Sequence, residues 1–244
     1  MEIDFAILYF GLTRSTRKVY ESHFRNIYDV LDENNLSYKK FIHTWKTSNN
    51  KQRVNATTCT KAIDYDEYKL LNPDYYNLES QCDFLKSVNI NHYYNTALIR
   101  RIKCAEWKEW RQSNVLVTNS ICSLESQKRC LKMMEDTMVA GFKYKYIMFV
   151  RPDVAILDKL PIKQIIDNPE KIHIPDFDHW SGINDRFAIS NYTNACIYGK
   201  RVHGMLEFIK LNDYFVSEKY LKYLLDKHNI QINLIKFNFD LVRP

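Results

Sequence analysis

Glycine is scarce in this chain, with 5 among 244 residues, so each glycine is expected where the backbone requires one. No apolar stretch approaches the roughly 20 residues that cross a bilayer. The acidic start, residues 1–5, has neither the basic residues nor the extended apolar middle of a signal peptide. We therefore expect no membrane span and a cytoplasmic protein.

The 6 cysteines include no C-x-x-C pair and no metal-finger spacing, which favours scattered reduced thiols. No linker rich in Pro, Gly or Ser, low-complexity tract or internal repeat interrupts the chain, so we predict a single domain over residues 1–244. The net charge of +6 is too mild for a dedicated nucleic-acid-binding protein. No nucleic-acid partner is therefore expected.

The most informative stretch is an apolar strand that stops on a carboxylate. Residues 146–150 are uncharged and favour a strand buried on both faces, as in a parallel sheet covered by helices. Pro152 cannot donate a ladder hydrogen bond, so pairing should end there. Asp153 is then predicted just beyond the carboxyl end of a central strand, where open α/β sheets bind their ligands.

The first fifty residues alternate between strand and helix patterns. Residues 5–10 predict a buried strand, residues 17–34 a helix that Ser15 or Thr16 can cap, and residues 38–45 a second strand. This alternation predicts an α/β fold with a mostly parallel central sheet flanked by helices. The loop amides and helix start after the first strand form a natural anion site.

The remainder of the chain continues with shorter elements. The patterns predict helices over residues 97–112, 124–138, 161–168 and 202–209 and after Ser217, and a strand over residues 171–175. The alternation of apolar residues in the tail changes phase near Leu234, which predicts one strand with a bulge.

Three polar clusters follow predicted strands, at residues 11–14, 43–45 and 151–153. Carboxyl ends of parallel strands meet at one edge of a sheet, so these clusters should converge. Convergence of this kind favours a nucleotide or nucleotide-sugar site.

These segments, in this order, resemble GT-A-type nucleotide-sugar glycosyltransferases, and most closely those of large DNA viruses, including chlorovirus-type enzymes that build capsid glycans. The motifs that carry the resemblance are FGLTR at 10–14, FIHTW at 41–45, RPD at 151–153, GINDRFA at 182–188 and LVRP at 241–244. The resemblance implies a GT-A-like domain with a small antiparallel C-terminal part. Residues 1–153 would bind the nucleotide sugar and residues 154–244 the acceptor, in the host cytoplasm if the protein is viral.

In GT-A enzymes an Asp-x-Asp motif at this strand end holds Mn²⁺ or Mg²⁺, which bridges the donor diphosphate. By resemblance Asp153 is the matched metal ligand, but Arg151 occupies the position of the first acid. Arg151 can instead pair with phosphate through its guanidinium group. The alternative is a structural salt bridge between Arg151 and Asp153.

The resemblance also implies a set of donor-binding residues. Gly11 allows close approach of the backbone, Thr13 and Arg14 can bond base, ribose or phosphate, and Trp45 can stack on the base. A plain turn and a buried core tryptophan are the alternatives. The predicted donor set is Gly11, Leu12, Thr13, Arg14, Thr44, Trp45, Arg151 and Asp153.

Residues 176–186 contain three Asp, one His, one Trp and one Arg. Inverting transfer needs a carboxylate that takes the proton of the acceptor hydroxyl, whereas retaining transfer needs no such base. By resemblance Asp185 is the first candidate base, followed by Asp178 and Asp176; an ion pair of Asp185 with Arg186, or a helix cap, is the alternative. The predicted acceptor set is Asp176, Trp180, Gly182, Asn184 and Arg186.

The sequence therefore predicts an inverting glycosyltransferase that moves a sugar from a nucleoside-diphosphate sugar, with UDP favoured, to a hydroxyl of a glycan or glycoprotein acceptor in capsid glycan synthesis. A sugar nucleotidyltransferase is a second hypothesis, although residues 11–14 are too poor in glycine for one. A catalytically inactive carbohydrate- or nucleic-acid-binding module on the same fold is a third.

Overall fold

The structure is a computed structural model that describes residues 1–47, 52–54, 57–59, 63–94, 114–212 and 215–243. The strands in chain order are β1 Glu2–Phe10, β2 Tyr38–Lys46, β3 Gln52–Val54, β4 Thr57–Cys59, β5 Tyr75–Ser80, β6 Lys143–Val150, β7 Val154–Ile156, β8 Ile172–Pro175, β9 Phe187–Ser190, β10 Ile232–Ile235 and β11 Phe239–Leu241. The predicted helix over residues 97–112 lies outside the described residues.

The α-helices described are α1 Thr16–His23, α2 Asp29–Glu33, α3 Gln81–Ser87, α4 Asn91–Tyr94, α5 Asn114–Val139, α6 Ile162–Ile166, α7 Tyr192–Gly199, α8 Met205–Asn212 and α9 Ser217–Lys227. A π-helical segment, Phe24–Tyr28, joins α1 to α2, so the helix predicted over residues 17–34 is present with one widened turn. None of the helices in the described ranges is long and apolar enough to cross a bilayer.

Seven strands form the main sheet in the order β10-β8-β9-β6-β1-β2-β5. Every pairing within it is parallel except the two made by β9. Strand β11 pairs with β7 in a separate antiparallel sheet. The predicted fold class, a mostly parallel central sheet flanked by helices with a small antiparallel C-terminal part, is confirmed.

Alternate residues of β1 enter two different cores, one on each face of the sheet. Phe5, Ile7 and Tyr9 pack with residues of the π-helical segment and α2. Ala6, Leu8 and Phe10 pack instead with residues of α5. Because both faces are covered, the later parts of β1 and β6, residues 5–10 and 146–150, can be free of charged side chains.

Two predicted helix caps are wrong. Ser15 is the N-cap residue of α1, but its side chain makes no capping bond. The Thr16 hydroxyl donates to the carbonyl oxygens of Thr13 and Pro152, which ties the start of α1 to the turn after β6. Ser217 begins α9, but its hydroxyl donates to Asp185 instead of capping the helix.

The single bulged strand predicted for the tail is also wrong. Strand β10 pairs with β8 in the main sheet, whereas β11 pairs with β7. The phase of the pattern changes because the chain leaves the main sheet after Ile235, while Phe237 and Phe239 remain buried in the same core. This crossing brings the residues after β11 to the turn that follows β6.

Candidate functional site

The carboxyl ends of β1 and β6 lie side by side in the centre of the sheet. The two strands are parallel, with Tyr9 opposite Val150, so residues 11–14 and 151–153 emerge as neighbours. Strand β2 leaves the sheet at the same edge, on the other side of β1. Strand β9 runs the opposite way and begins opposite Val150, which places the end of the 176–186 loop there too. The predicted convergence of strand ends is therefore confirmed.

Asp153 lies at the middle of this edge and is completely buried. Arg151 donates to both of its carboxylate oxygens at 2.8 Å, through Nε and Nη2. Arg14 donates through Nε at 3.1 Å, and Arg243 through Nη1 at 3.3 Å. We call these four residues the arginine centre. The structural salt bridge considered from the sequence is present, with two further arginines added to it.

The arginine centre carries three positive charges and one negative charge. Burial alone would raise the pKa of Asp153, but Arg151 and Arg14 hold that pKa below its usual range. Burial acts to lower the pKa of Arg151, yet Asp153 and, to a smaller extent, Asp185 raise it.

A hydrogen bond to Ser126 of α5 fixes the turn after β1. Gly11 adopts a φ of +96°, which favours glycine, and its N–H donates to the Ser126 hydroxyl at 2.8 Å. That hydroxyl in turn donates to the carbonyl oxygen of His43. Leu12 is partly exposed, whereas Thr13 is buried. This turn is therefore rigidly placed, and Arg14 is its member in the arginine centre.

The predicted base pocket at Thr44 and Trp45 is not supported, because both side chains are buried. The Trp45 ring stacks on Phe84 with 5.0 Å between centroids, and the Arg129 guanidinium lies 4.9 Å from the ring centroid. Its Nε1–H donates to the carbonyl oxygen of Cys122. The ring surface that would stack on a base is covered by protein, which matches the alternative of a core tryptophan.

The 176–186 loop has an unusual backbone. Asp178, Trp180 and Ser181 all have positive φ, at 54°, 44° and 62°. Non-glycine residues in this region cost of order 1 kcal/mol or more each, and such strain concentrates at functional sites. The Trp180 side chain is 61% exposed, and Asp178 pairs with Arg186 at 2.5 Å. The loop thus presents an open aromatic ring beside an ion pair.

Three of the predicted acceptor residues, Asp176, Asn184 and Gly182, differ in exposure and in the groups they contact. Asp176 is exposed and lies 3.3 Å from His179 Nε2. Asn184 is buried, and its side chain donates to the carbonyl oxygen of Phe177 and accepts the N–H of Arg186, so it holds the loop together. Gly182 faces the backbone of Glu218, where a Cβ atom would overlap it. Asn184 and Gly182 thus have structural roles in the loop, and their contact with an acceptor stays a prediction.

Asp185 is partly exposed and is fixed from several sides. Its Oδ2 accepts the hydroxyl hydrogen of Ser217, at the start of α9. Its carbonyl oxygen accepts a bond from the Tyr198 hydroxyl at 2.8 Å and another from Arg201 at 3.3 Å. The ion pair with Arg186 that was considered from the sequence is replaced by the pair of Arg186 with Asp178.

Glu218 is a second carboxyl group at this site. Burial, and then the negative charge of Asp185, raise the pKa of Glu218 to about 7. Its carbonyl oxygen accepts the N–H of Ile183 at 3.0 Å, which joins the first turn of α9 to the 176–186 loop. Near neutral pH this side chain can therefore exchange a proton.

No known family model matches the chain, and no curated protein matches it in sequence. Among solved structures, the fold is similar to mouse xyloside xylosyltransferase 1 in its apo form, with 8% sequence identity. The similarity covers 96% of this chain and 85% of that chain, with a TM-score of 0.45. A likeness this distant carries nothing about donor or acceptor, and the resemblance to viral enzymes gains no support from it.

The residues at the strand end do not fit a divalent cation. Both oxygens of Asp153 accept hydrogen bonds from arginine, and the surrounding charge is positive. Within the described part of the chain, no group of three or more His, Cys, Asp or Glu side chains is arranged to hold a metal ion. We therefore derive no step that uses Mn²⁺ or Mg²⁺.

Two residues of this site were not identified from the sequence. Arg243 belongs to the LVRP tail that contributed to the resemblance, and pairing of β11 with β7 brings it to Asp153. Glu218 had no sequence signal beyond being an acid in the first turn of a helix.

Two concave surfaces lie elsewhere on the molecule. One is lined by Pro161, Ile162, Lys163, Gln164 and Asp167, and the other by Tyr75, Tyr76, Asn77, Glu79, Arg129, Lys132, Met133 and Asp136. Neither includes a member of the arginine centre or of the 176–186 loop. The candidate site is preferred because its charges converge, which neither concave surface offers to an anionic ligand.

Proposed function

We propose that this protein transfers a sugar from a nucleoside-diphosphate sugar to a hydroxyl group of a glycan or glycoprotein acceptor. The observation that carries the proposal is the pairing of Val150 with Phe187, because Arg151, which donates to Asp153, follows Val150, and Asp185 stands two residues before Phe187. A group that can hold a leaving diphosphate and a carboxylate that can act as a base are thus found at the same edge of the sheet. UDP is the favoured nucleotide, and viral capsid glycans the favoured product, only because the resembling family uses them.

The reaction that suits this pair is a direct displacement. The acceptor oxygen forms a bond to the anomeric carbon while the bond from that carbon to the diphosphate oxygen breaks. The electron pair of the broken bond leaves with the diphosphate, whose growing negative charge the arginine centre stabilises. The proton of the acceptor hydroxyl passes to the carboxylate of Asp185. One displacement inverts the configuration at the anomeric carbon.

Ser217 supports this role of Asp185. Its hydroxyl donates to Oδ2 and therefore fixes the orientation of the carboxylate at the start of α9. Glu218, whose pKa is raised to about 7, is the next carboxyl group that can receive the proton. Asp178 is less suitable, because its carboxylate is paired with Arg186.

The acceptor is proposed to bind across the 176–186 loop. The exposed ring of Trp180 offers a flat surface for a sugar face, and the ion pair of Asp178 and Arg186 offers polar groups for its hydroxyls. Asp176, which is exposed at the start of the loop, is a further polar contact.

The test is sugar transfer and donor hydrolysis with a panel of nucleotide sugars and simple glycoside acceptors, followed by NMR of the product. We expect Asp185→Asn to lower turnover by about 100-fold or more, which is the usual range for a general base, while donor affinity changes little. The matched control is Asp226→Asn, since Asp226 is an exposed acid on α9 that pairs with Lys222. Unchanged turnover in Asp185→Asn would remove it as the base, and retention of configuration would remove the displacement.

A second candidate function is donor or glycan binding without turnover. The burial of Asp153 and its pairing with three arginines favour this candidate, because the acid matched to the catalytic metal of the family is occupied. Saturable binding of a nucleotide sugar, with neither transfer nor hydrolysis on any acceptor, would support it over the enzyme.

A further inference from the structure

We infer that the arginine centre binds the diphosphate group of a nucleotide directly, with no divalent cation between them. The inference deepens the proposed function, because the nucleoside diphosphate is the leaving group of that reaction. It also reverses the expectation from the resemblance, in which Asp153 holds the metal.

The first argument is the state of Asp153. Its side chain is 0% exposed, and its two oxygens accept four hydrogen bonds from three guanidinium groups. A cation that bound Asp153 would have to displace these bonds and lie among three positive charges. An anion meets the opposite situation, since the centre has an excess of two positive charges.

The second argument is access. Whereas Asp153 is fully enclosed, the side chains of Arg14, Arg151 and Arg243 are 11%, 22% and 28% exposed. A guanidinium group carries five N–H donors in a planar fork, and Asp153 accepts two bonds from Arg151 and one from Arg243. The same groups can therefore hold Asp153 on one side and phosphate oxygens on the other.

The third argument is the start of α1, which follows Arg14 directly. Its first turn is fixed against the turn after β6 by the bond from Thr16 to the carbonyl oxygen of Pro152. The Ser15 hydroxyl is buried and has no hydrogen-bond partner among the residues that the structure describes. A phosphate oxygen beside Ser15 would meet this hydroxyl at the positive end of the helix dipole, whereas the N–H of Arg17 is already bonded to Glu67 Oε2 and that of Lys18 to the Ser15 carbonyl oxygen.

The role of Asp153 follows from these contacts. One buried carboxylate holds three like-charged groups together that would otherwise repel one another. The diphosphate then completes the neutralisation that Asp153 begins, and does so from the exposed side.

The test is titration calorimetry with inorganic diphosphate and with UDP, first in EDTA and then with Mn²⁺ in excess of EDTA. We expect saturable binding in EDTA, with a Kd within about threefold of the value in Mn²⁺. Arg243→Gln should weaken binding in EDTA by roughly tenfold or more, as expected for loss of a charge-assisted hydrogen bond. Arg243→Lys should lie between the two. The control Arg25→Gln removes an exposed arginine outside the centre and should change the Kd by less than about twofold.

Binding that appears only with Mn²⁺, or Arg243→Gln binding as tightly as the wild type, would overturn the inference. Circular dichroism and thermal midpoints establish that each variant is folded. Should Arg243→Gln not fold, the wild-type measurement decides, because direct charge contacts require binding in EDTA that weakens as NaCl is added.

The outcome is separable from that of the proposed function. Diphosphate binding in EDTA with no sugar transfer from any donor would leave the inference standing and refute the transferase. Sugar transfer that requires Mn²⁺ and is retained in Arg243→Gln would support the transferase and refute the inference.

Discussion

Replacing Asp153 with asparagine should destabilise the protein strongly, although only one charge is removed. The variant keeps the shape of the side chain but leaves Arg14, Arg151 and Arg243 facing one another without a counter-charge. Removing one partner of a buried salt bridge costs about 3–5 kcal/mol. The three arginines are partly exposed and regain some hydration, so we expect the lower end, about 3 kcal/mol. For a chain of this length that corresponds to a fall in Tm of about 6–12 °C.

The measurement is urea unfolding followed by circular dichroism at pH 7, with Asp136→Asn as the control. Asp136 forms an exposed pair with Lys132, and such surface pairs contribute about 0–1 kcal/mol. The wild-type advantage should also depend on pH. Because the folded pKa of Asp153 lies below its unfolded value of 3.8, the stabilisation is present above that pH and is lost as pH falls through the folded pKa. A difference under about 1 kcal/mol at pH 7 would refute this account of the arginine centre.

Three further predictions concern groups around the site and in the core. The pKa of Glu218 is about 7 in the folded protein and 4.5 in the unfolded chain, so the wild type loses stability as pH rises from 4.5 to 7. The Tm of Glu218→Gln should therefore rise relative to that of the wild type over this interval. A Tm difference that does not change with pH would contradict this prediction. Gly182→Ala should cost about 1–3 kcal/mol and lower transfer, measured by urea midpoint and turnover, because its Cβ would push away the first turn of α9. Burial lowers the pKa of His23 to about 4, so the stability that it contributes is present above about pH 6.5 and declines towards pH 4; a flat dependence of urea midpoints there would exclude the effect.

The parts of the fold that could be predicted are those in which the apolar pattern of a segment determines its place in the sheet. The apolar runs of β1 and β6 are long enough to need cover on both faces, which leaves them only the centre of a parallel sheet. Once these strands are central, the turns after them must be neighbours, so the convergence of residues 11–14 with residues 151–153 could be predicted from the sequence.

The parts that could not be predicted depend on which distant side chain covers a residue. Trp45 follows its strand as a stacking residue would, yet Phe84 and Arg129, far along the chain, close over it. The sequence did not indicate that the Asn184 side chain bonds to the carbonyl oxygen of Phe177, or that Gly182 packs against the backbone of Glu218. Arg243 reaches Asp153 because the tail leaves the main sheet and β11 pairs with β7. No apolar periodicity in the sequence indicates such a change of sheet.

The crossing of the tail from the main sheet to β7 has a consequence for the order in which the arginine centre is assembled. Strand β11 and Arg243 are synthesised after all seven strands of the main sheet, so a nascent chain can form the sheet before Arg243 joins Arg14 and Arg151 at Asp153. The pairing of three residues, Phe239–Leu241, with β7 is what brings Arg243 to Asp153. Loss of this pairing would therefore remove one of the three arginines from Asp153 and expose Phe239, which is buried in the core.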